Sequence, residues 1–227
     1  MRKGFFALIV AALVLLSLSA LAESVPYTFG DFTLPVPASH YVLTRDSHDV
    51  ADIGINTILD QAFANSLFDT QPGMQMDSIC LDPLYEIFVF QLPVENVSNF
   101  SATSPENLEV YRKLWKGVME QKQVTLTEET QVAAHPQTSF FYYTGTTDMN
   151  GSTVYITAYA TVENSIMTTI QLQTYSEPAD DSLKAVLGDM VQNTVLYGQQ
   201  SNLPQADAQA VTLQKGDILP RSAIPQT

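Results

Sequence analysis

One cysteine, Cys80, stands among the 227 residues of this chain. An intramolecular disulfide is therefore excluded, and an ordinary hydrophobic core must hold the fold together, which a chain of this length can bury. Histidine is scarce as well: His40, His48 and His135 are the 3 present. Positive charge is short, with 10 Lys and Arg against 24 Asp and Glu, a formal net charge of −14. Such a surface repels phosphate backbones and anionic headgroups, which excludes nucleic-acid binding. No glycine-rich loop opens a helix, so a phosphate cradle is missing. No Gly-x-Ser-x-Gly elbow is present, so a serine hydrolase of that type is missing too. Internal repeats, charge blocks and an internal linker are also lacking, which points to one domain.

Long apolar runs are confined to the start. Met1-Arg2-Lys3-Gly4 leads into Phe5 to Leu16, and Ala20 and Ala22 supply the small residues of a cleavage site. Basic, apolar and small-residue regions in that order predict a secretory signal peptide over residues 1–22, cut after Ala22 and before Glu23. An uncleaved anchor is the alternative, but the run is shorter than the roughly 20 residues a bilayer core requires. No cysteine sits at the cut, which argues against a lipid anchor. Losing Arg2 and Lys3 leaves 8 of the 10 basic residues against 24 acidic ones, a formal charge of −16. The mature chain is expected to be secreted or extracytoplasmic in the cell envelope, with no stable membrane insertion after cleavage.

From Tyr27 the pattern is a strand, a kink at Pro35 and Pro37, and a second short strand to Thr44. Apolar residues at helical spacing over Ile55 to Phe68 predict an amphipathic helix ended by Gln71-Pro72-Gly73. Met74 to Leu81 and Tyr85 to Val94 read as strands around the Asp82-Pro83 turn. The second is apolar on both sides, as in a central strand. Ser104, Pro105 and Glu106 give an N-cap, a proline at N1 and early negative charge, predicting a helix to about Gln121. Val124 to Val132, Ser139 to Thr144, Thr153 to Val162 and Ile166 to Tyr175 follow as strands. Asn150-Gly151 and Glu163-Asn164-Ser165 are turn chemistry, so the last three should form an antiparallel meander. A final helix opens near Asp180-Asp181, carries Leu183, Val186, Leu187, Met190, Val191 and Val195, and stops at Gly198. Residues 199–227, rich in Gln, Pro and Ala, are expected to form a flexible tail, with a short strand near Ala210 to Leu213 as an option. The fold class is α+β: an antiparallel sheet of about six strands with helices packed on one face, over residues 23–198.

Several constellations were weighed for chemistry. His40 and His48 flank Arg45 and Asp46, with Asp49 and Asp52 close behind. The donor types suit a metal, but the seven-residue gap between the histidines fits no justified ligand spacing, so they read as solvated loop residues. His135 before Pro136 reads as a turn residue. Cys80 reads as a buried, inert thiol. Asp180-Asp181 read as helix N-terminal charges and Glu128-Glu129 as solvent-facing, although a carboxylate pair defined only in space stays open. Phe140, Phe141, Tyr142 and Tyr143, with Tyr155 and Tyr159, read as cross-strand packing; an aromatic platform for carbohydrate or peptide is the alternative. Arg112, Lys113, Lys116 and Lys122 cluster on one helix, read as a solvated face, with docking of an acidic partner as the alternative. Asn96, Asn99 and Asn150 begin sequons that matter only in a eukaryotic secretory route.

The order strand pair, helix, strands, helix, meander, helix resembles the PsbP-like fold of the photosystem extrinsic subunit, the Mog proteins and the bacterial DcrB-like exported proteins. The cues are Phe32-Thr-Leu-Pro-Val-Pro, the Glu106 to Gln121 helix and the closing helix, over Tyr27 to about Tyr197. The usual Trp after the opening Pro is absent, Tyr41 standing nearby, and the tail is extra. The resemblance implies an accessory or binding module and carries over no catalytic residues. The expectation is a non-catalytic exported binding module, monomeric, acting on a protein or envelope component. No catalytic, cofactor-binding or metal residue and no cofactor is assigned. The alternative is a carboxylate-dependent hydrolase of an envelope glycan or peptide.

Overall fold

A computed structural model describes residues 23–95, 99–121, 123–149 and 151–196. The signal segment and the 199–227 tail lie outside the described residues. The strands are β1 (Ser24–Phe29), β2 (Phe32–Pro37), β3 (Tyr41–Thr44), β4 (Met74–Leu81), β5 (Leu84–Pro93), β6 (Thr125–Leu126), β7 (Gln131–Ala134), β8 (Ser139–Met149), β9 (Ser152–Glu163), β10 (Ile166–Thr174) and β11 (Val195–Leu196). The helices are α1 (Val50–Ile53), α2 (Gln61–Thr70), α3 (Pro105–Gln121) and α4 (Asp181–Gln192). An eight-stranded antiparallel sheet runs β3-β4-β5-β10-β9-β8-β6, with β7 also paired to β8, and a second sheet runs β1-β2-β11. The α+β antiparallel class thus holds, and β8-β9-β10 form the expected meander. Asn164 and Ser165 both take positive φ, 54° and 57°, as a two-residue type I′ hairpin turn requires.

The layering is richer than expected. Period-2 alternation sends successive residues of a strand to opposite faces, and here both faces are covered. Ile87, Val89, Phe140, Ile170 and Leu172 pack under β1, β2 and α4, through Phe32, Leu34, Leu187 and Val191. Phe88 and Phe90 pack on the other face under α1 and α2, through Val50, Leu67 and Phe68. Tyr143, Ile156, Ala158 and Ala160 share that second face beneath α3, against Trp115 and Met119. The helices therefore lie on both faces, with α4 and the small sheet opposite α2 and α3. The strand count rises above six because three short strands form between Ser24 and Thr44 and because β6 and β7 are separate pieces.

Local chemistry explains the other departures. The helix expected over Ile55 to Phe68 begins only at Gln61, and a separate short helix, α1, precedes the expected span. Gly54 ends α1 in the left-handed region (φ 82°), and Asp60 starts α2 by accepting a hydrogen bond from the Ala62 amide. Ile55 and Leu59 stay buried, but in the connection. The strand expected over Val124 to Val132 breaks around Glu128-Glu129, where Arg112 reaches across from α3 to the Thr130 carbonyl at 2.6 Å. Gly145 is required where β6 crosses β8: a Cβ there would lie 2.8 Å from Val124 Cγ1 and 2.9 Å from the Thr125 carbonyl oxygen. The last helix ends at Gln192, capped by Asn193, and Val195 belongs to β11. Gly198, expected to stop that helix, lies outside the described residues. No helix among the described residues is long and apolar enough to cross a membrane.

Candidate functional site

The face of the large sheet under α2 and α3 is apolar at both ends and polar in the middle. Asp77 on β4, Glu86 on β5, and Gln171 and Gln173 on β10 all belong to it by alternation. Gln173 stands directly opposite Glu86, and Gln171 opposite Phe88. Asp77 is likewise opposite Phe88, one step diagonal from Glu86. Directly opposed side chains meet at about 5 Å and diagonal ones lie within reach of long side chains. All four are buried: Asp77 and Glu86 are 3% exposed, Gln171 1% and Gln173 0%.

Hydrogen bonding along this strip is incomplete. Tyr175 donates its hydroxyl to Glu86 Oε2. Asp77 Oδ1, Gln171 Nε2 and both amide atoms of Gln173 have no hydrogen-bond partner among the described residues. The Tyr143 hydroxyl, in the same cross-strand row as Gln171 with Ala158 between, has none either. Nor has Trp115 Nε1, on the helix above. Buried polar atoms are satisfied in the great majority of cases, so a contiguous group of exceptions calls for a reason. Burial pushes the Glu86 carboxyl up to about 7, partly offset by the Tyr175 hydrogen bond. Asp77 is raised by burial and by the neighbouring Glu86 charge. The ion pairs among the described residues join Arg112, Lys113 and Lys116 to Glu109, Glu120 and Glu129, so none reaches this strip.

A second network lies on the opposite face of β4 and β5. His40 places Nδ1 at 2.7 Å from Ser78 Oγ and Nε2 at 2.9 Å from the Tyr85 hydroxyl. The reading of His40 as a solvated loop residue is thereby corrected: burial holds its pKa down to about 4. Neutral imidazole donates through one nitrogen and accepts through the other, so it bridges the two hydroxyls without a charge. Ser78 is fully buried, which leaves its oxygen shielded from any substrate. The His40 ring is expected to remain neutral from pH 8 down to about 5 and to titrate only near 4, followed by side-chain NMR. A midpoint near 6.5 would show that the Ser78–His40–Tyr85 network does not persist in solution.

The remaining residues singled out in the sequence are dispersed. His48 stacks on Phe68 with ring centroids 4.8 Å apart and faces the Thr44 carbonyl, while Asp49 caps α1. No group of three metal-capable side chains forms among the described residues. His135 accepts from the Gln137 amide, a turn contact as expected. Cys80 is half-buried rather than buried, beside Tyr85. Asp180 caps α4 through the Leu183 amide. Phe140 and Phe141 point to opposite faces, and Tyr142 packs 5.0 Å from Tyr159 as cross-strand pairing requires. Arg112 is 12% exposed and bonded to Glu109, Glu129 and the Thr130 carbonyl, so it clamps α3 to the edge of the sheet instead of presenting a free cation. Lys113 and Lys116 remain exposed. Asn99 accepts from the Asn164 amide, which occupies its side chain. Asn96, Lys122 and Asn150 lie outside the described residues.

Sequence reasoning missed the polar strip, although a signal existed. Glu86 interrupts the most apolar strand in the chain, and Gln171 and Gln173 alternate with Ile170 and Leu172. With one face covered, that alternation reads as a solvent face. With both covered, it is a buried one.

No family model and no curated protein matches the chain. Solved structures do. Cyanobacterial PsbP (CyanoP) from Synechocystis is 11% identical over 78% of this chain and 95% of that one, with a TM-score of 0.46. LpqN of Mycobacterium tuberculosis, described as involved in cell envelope biogenesis, is 11% identical over 77% and 91%, with a TM-score of 0.40. Both TM-scores lie below 0.5.

Proposed function

We propose that this chain is an exported, non-catalytic binding module of the cell envelope or extracellular space, and that its binding site is the polar strip between α2 and α3. The observation that carries this reading is Gln173: fully buried, opposite a buried carboxyl, with both amide atoms unpaired. An amide so placed costs stability unless something completes its hydrogen bonds. The basic, apolar and small-residue segments of residues 1–22 support export. The carboxylate-dependent hydrolase is the second reading, favoured by the raised Asp77–Glu86 pair.

The test is a thermal-shift screen of the mature protein from Glu23 against envelope-derived small molecules and inorganic ions, run in parallel on Gln173→Leu. Leucine removes the unpaired amide, so the variant is expected to melt a few degrees higher without ligand. A compound that raises the melting temperature of the wild type alone supports the binding module. Identical hits in both proteins, or none in either, would sink it. Turnover of a glycan or peptide that is lost in Glu86→Gln would replace it with the hydrolase.

A further inference from the structure

Resting on the same strip, the inference concerns its occupant. We infer that Asp77, Glu86 and the Gln173 amide oxygen form the protein part of a site for a single hard divalent cation of calcium size.

The argument starts from charge. Two carboxyls share a buried region with no basic partner among the described residues, whose ion pairs lie on and beside α3. As carboxylates they would carry a charge of −2 into a medium where isolated charge is very costly. One divalent ion balances that charge, whereas a monovalent ion leaves half of it. The donor set comes next. All the acceptors facing the strip are oxygens: the Asp77 and Glu86 carboxyls, the Gln173 amide oxygen and the Tyr175 hydroxyl already on Glu86. Oxygen-only sets select hard cations, while zinc and copper prefer imidazole or thiolate. The nearby imidazole and thiol, His40 and Cys80, cannot join. His40 bonds Ser78 and Tyr85, which point to the opposite face of the sheet, and Cys80 packs on that face too. Between hard cations, magnesium dehydrates reluctantly and keeps several waters, and calcium accepts six to eight irregular oxygens. A strip this buried favours calcium.

The acid pair alone would not make a site. Gln173 is the independent observation, because its side chain is fully buried, opposite Glu86 and unpaired at both atoms. A purely structural glutamine would be bonded to a neighbour. Here its oxygen is left available opposite the Glu86 carboxyl, with Asp77 one diagonal step beyond on β4.

Terbium is a suitable probe, since it replaces calcium and is sensitised by nearby aromatics. Trp115, the single tryptophan of the chain, lies over this face beside Tyr143. The mature protein, stripped with chelator and dialysed into about 0.15 M salt to screen surface acids, is titrated with terbium. Calcium is then tested by thermal shift near pH 8. Sensitised emission saturating at one equivalent, and a calcium-dependent rise in melting temperature of about 5 °C, are expected. Asp77→Asn and Glu86→Gln should each fold, as judged by circular dichroism, and lose both signals. Gln173→Leu should weaken terbium binding roughly tenfold, the size of one lost ligand contact. Should an acid variant not fold, Gln173→Leu decides, because an unshifted terbium titration in that variant overturns the inference. Unsensitised, non-saturating binding, or signals retained in the variants, would overturn the inference and assign the cation to surface acids. In that event an organic hit lost in Gln173→Leu would still uphold the binding module, whereas no hit of either kind would end both.

Discussion

Raising the pH from about 5 to about 8, with a chelator present, is expected to lower the stability of this protein by roughly 3 kcal/mol. The cause is Glu86, whose carboxyl rises from 4.5 to about 7 on folding because burial penalises its charged form. A group raised in the folded state holds its proton more tightly there than in the unfolded chain. Its contribution is complete below the unfolded value near 4.5 and is lost as the pH passes through the folded value near 7. Asp77 is raised by the same burial and by Glu86, so it acts in the same direction. Tyr175 opposes the rise of Glu86 by hydrogen-bonding its ionised form, but burial prevails. The measurement is a set of urea melts across that range, on the wild type and the Asp77→Asn/Glu86→Gln pair variant. The pair variant should be nearly flat and the wild type should fall. A wild type as stable at pH 8 as at pH 5 would mean that the two carboxyls are not buried together.

Arg45→Met, in the half-buried turn after β3, is expected to cost about 3 kcal/mol. Arg45 gathers the end of α2 into the start of β4. Its Nε donates to the Met74 carbonyl at 2.9 Å, and its Nη2 to the Phe68 and Gln71 carbonyls at 3.1 and 2.6 Å. The Phe68 carbonyl is one of the orphan acceptors that any helix leaves at its C-terminus, Gln71 is the C-cap of α2 and Met74 opens β4, with Phe68 and Met74 themselves buried. The guanidinium also lies 5.9 Å from the centre of the Phe68 ring. Methionine keeps the aliphatic stem and removes every donor. Arg45→Lys should recover only part of the loss, because one ammonium cannot serve three carbonyls spread as a fork. Denaturant midpoints at unchanged slope would measure both. A cost below about 0.5 kcal/mol for Arg45→Met would show the carbonyls to be served by solvent.

Much of the fold was legible because it follows from short-range chemistry. Ser104, Pro105 and Glu106 announced α3, and the Ser104 hydroxyl faces the Asn107 amide where a cap should. Asp180 announced α4. The Glu163-Asn164-Ser165 turn announced the β9–β10 hairpin. Boundaries were less legible where two local signals compete. Asp60 can sit within a helical pattern or cap a new one, and only the packing of Leu59 against Phe68 and its neighbours makes the second arrangement the lower in energy.

Residue order alone determined the acidity, the lack of an intramolecular disulfide and the α+β pattern of the described residues, because composition, periodicity and turn chemistry act over a few residues at a time. Tertiary structure decided which faces are covered. Gln171 and Gln173 alternate with apolar neighbours whether their face meets water or helices. The difference is made by α2 and α3, whose residues lie about 50 to 120 positions away in sequence. Whether a carboxyl lies in water or in a core depends on those distant elements, and with it the pKa of Glu86, the unpaired amide of Gln173 and the site they form.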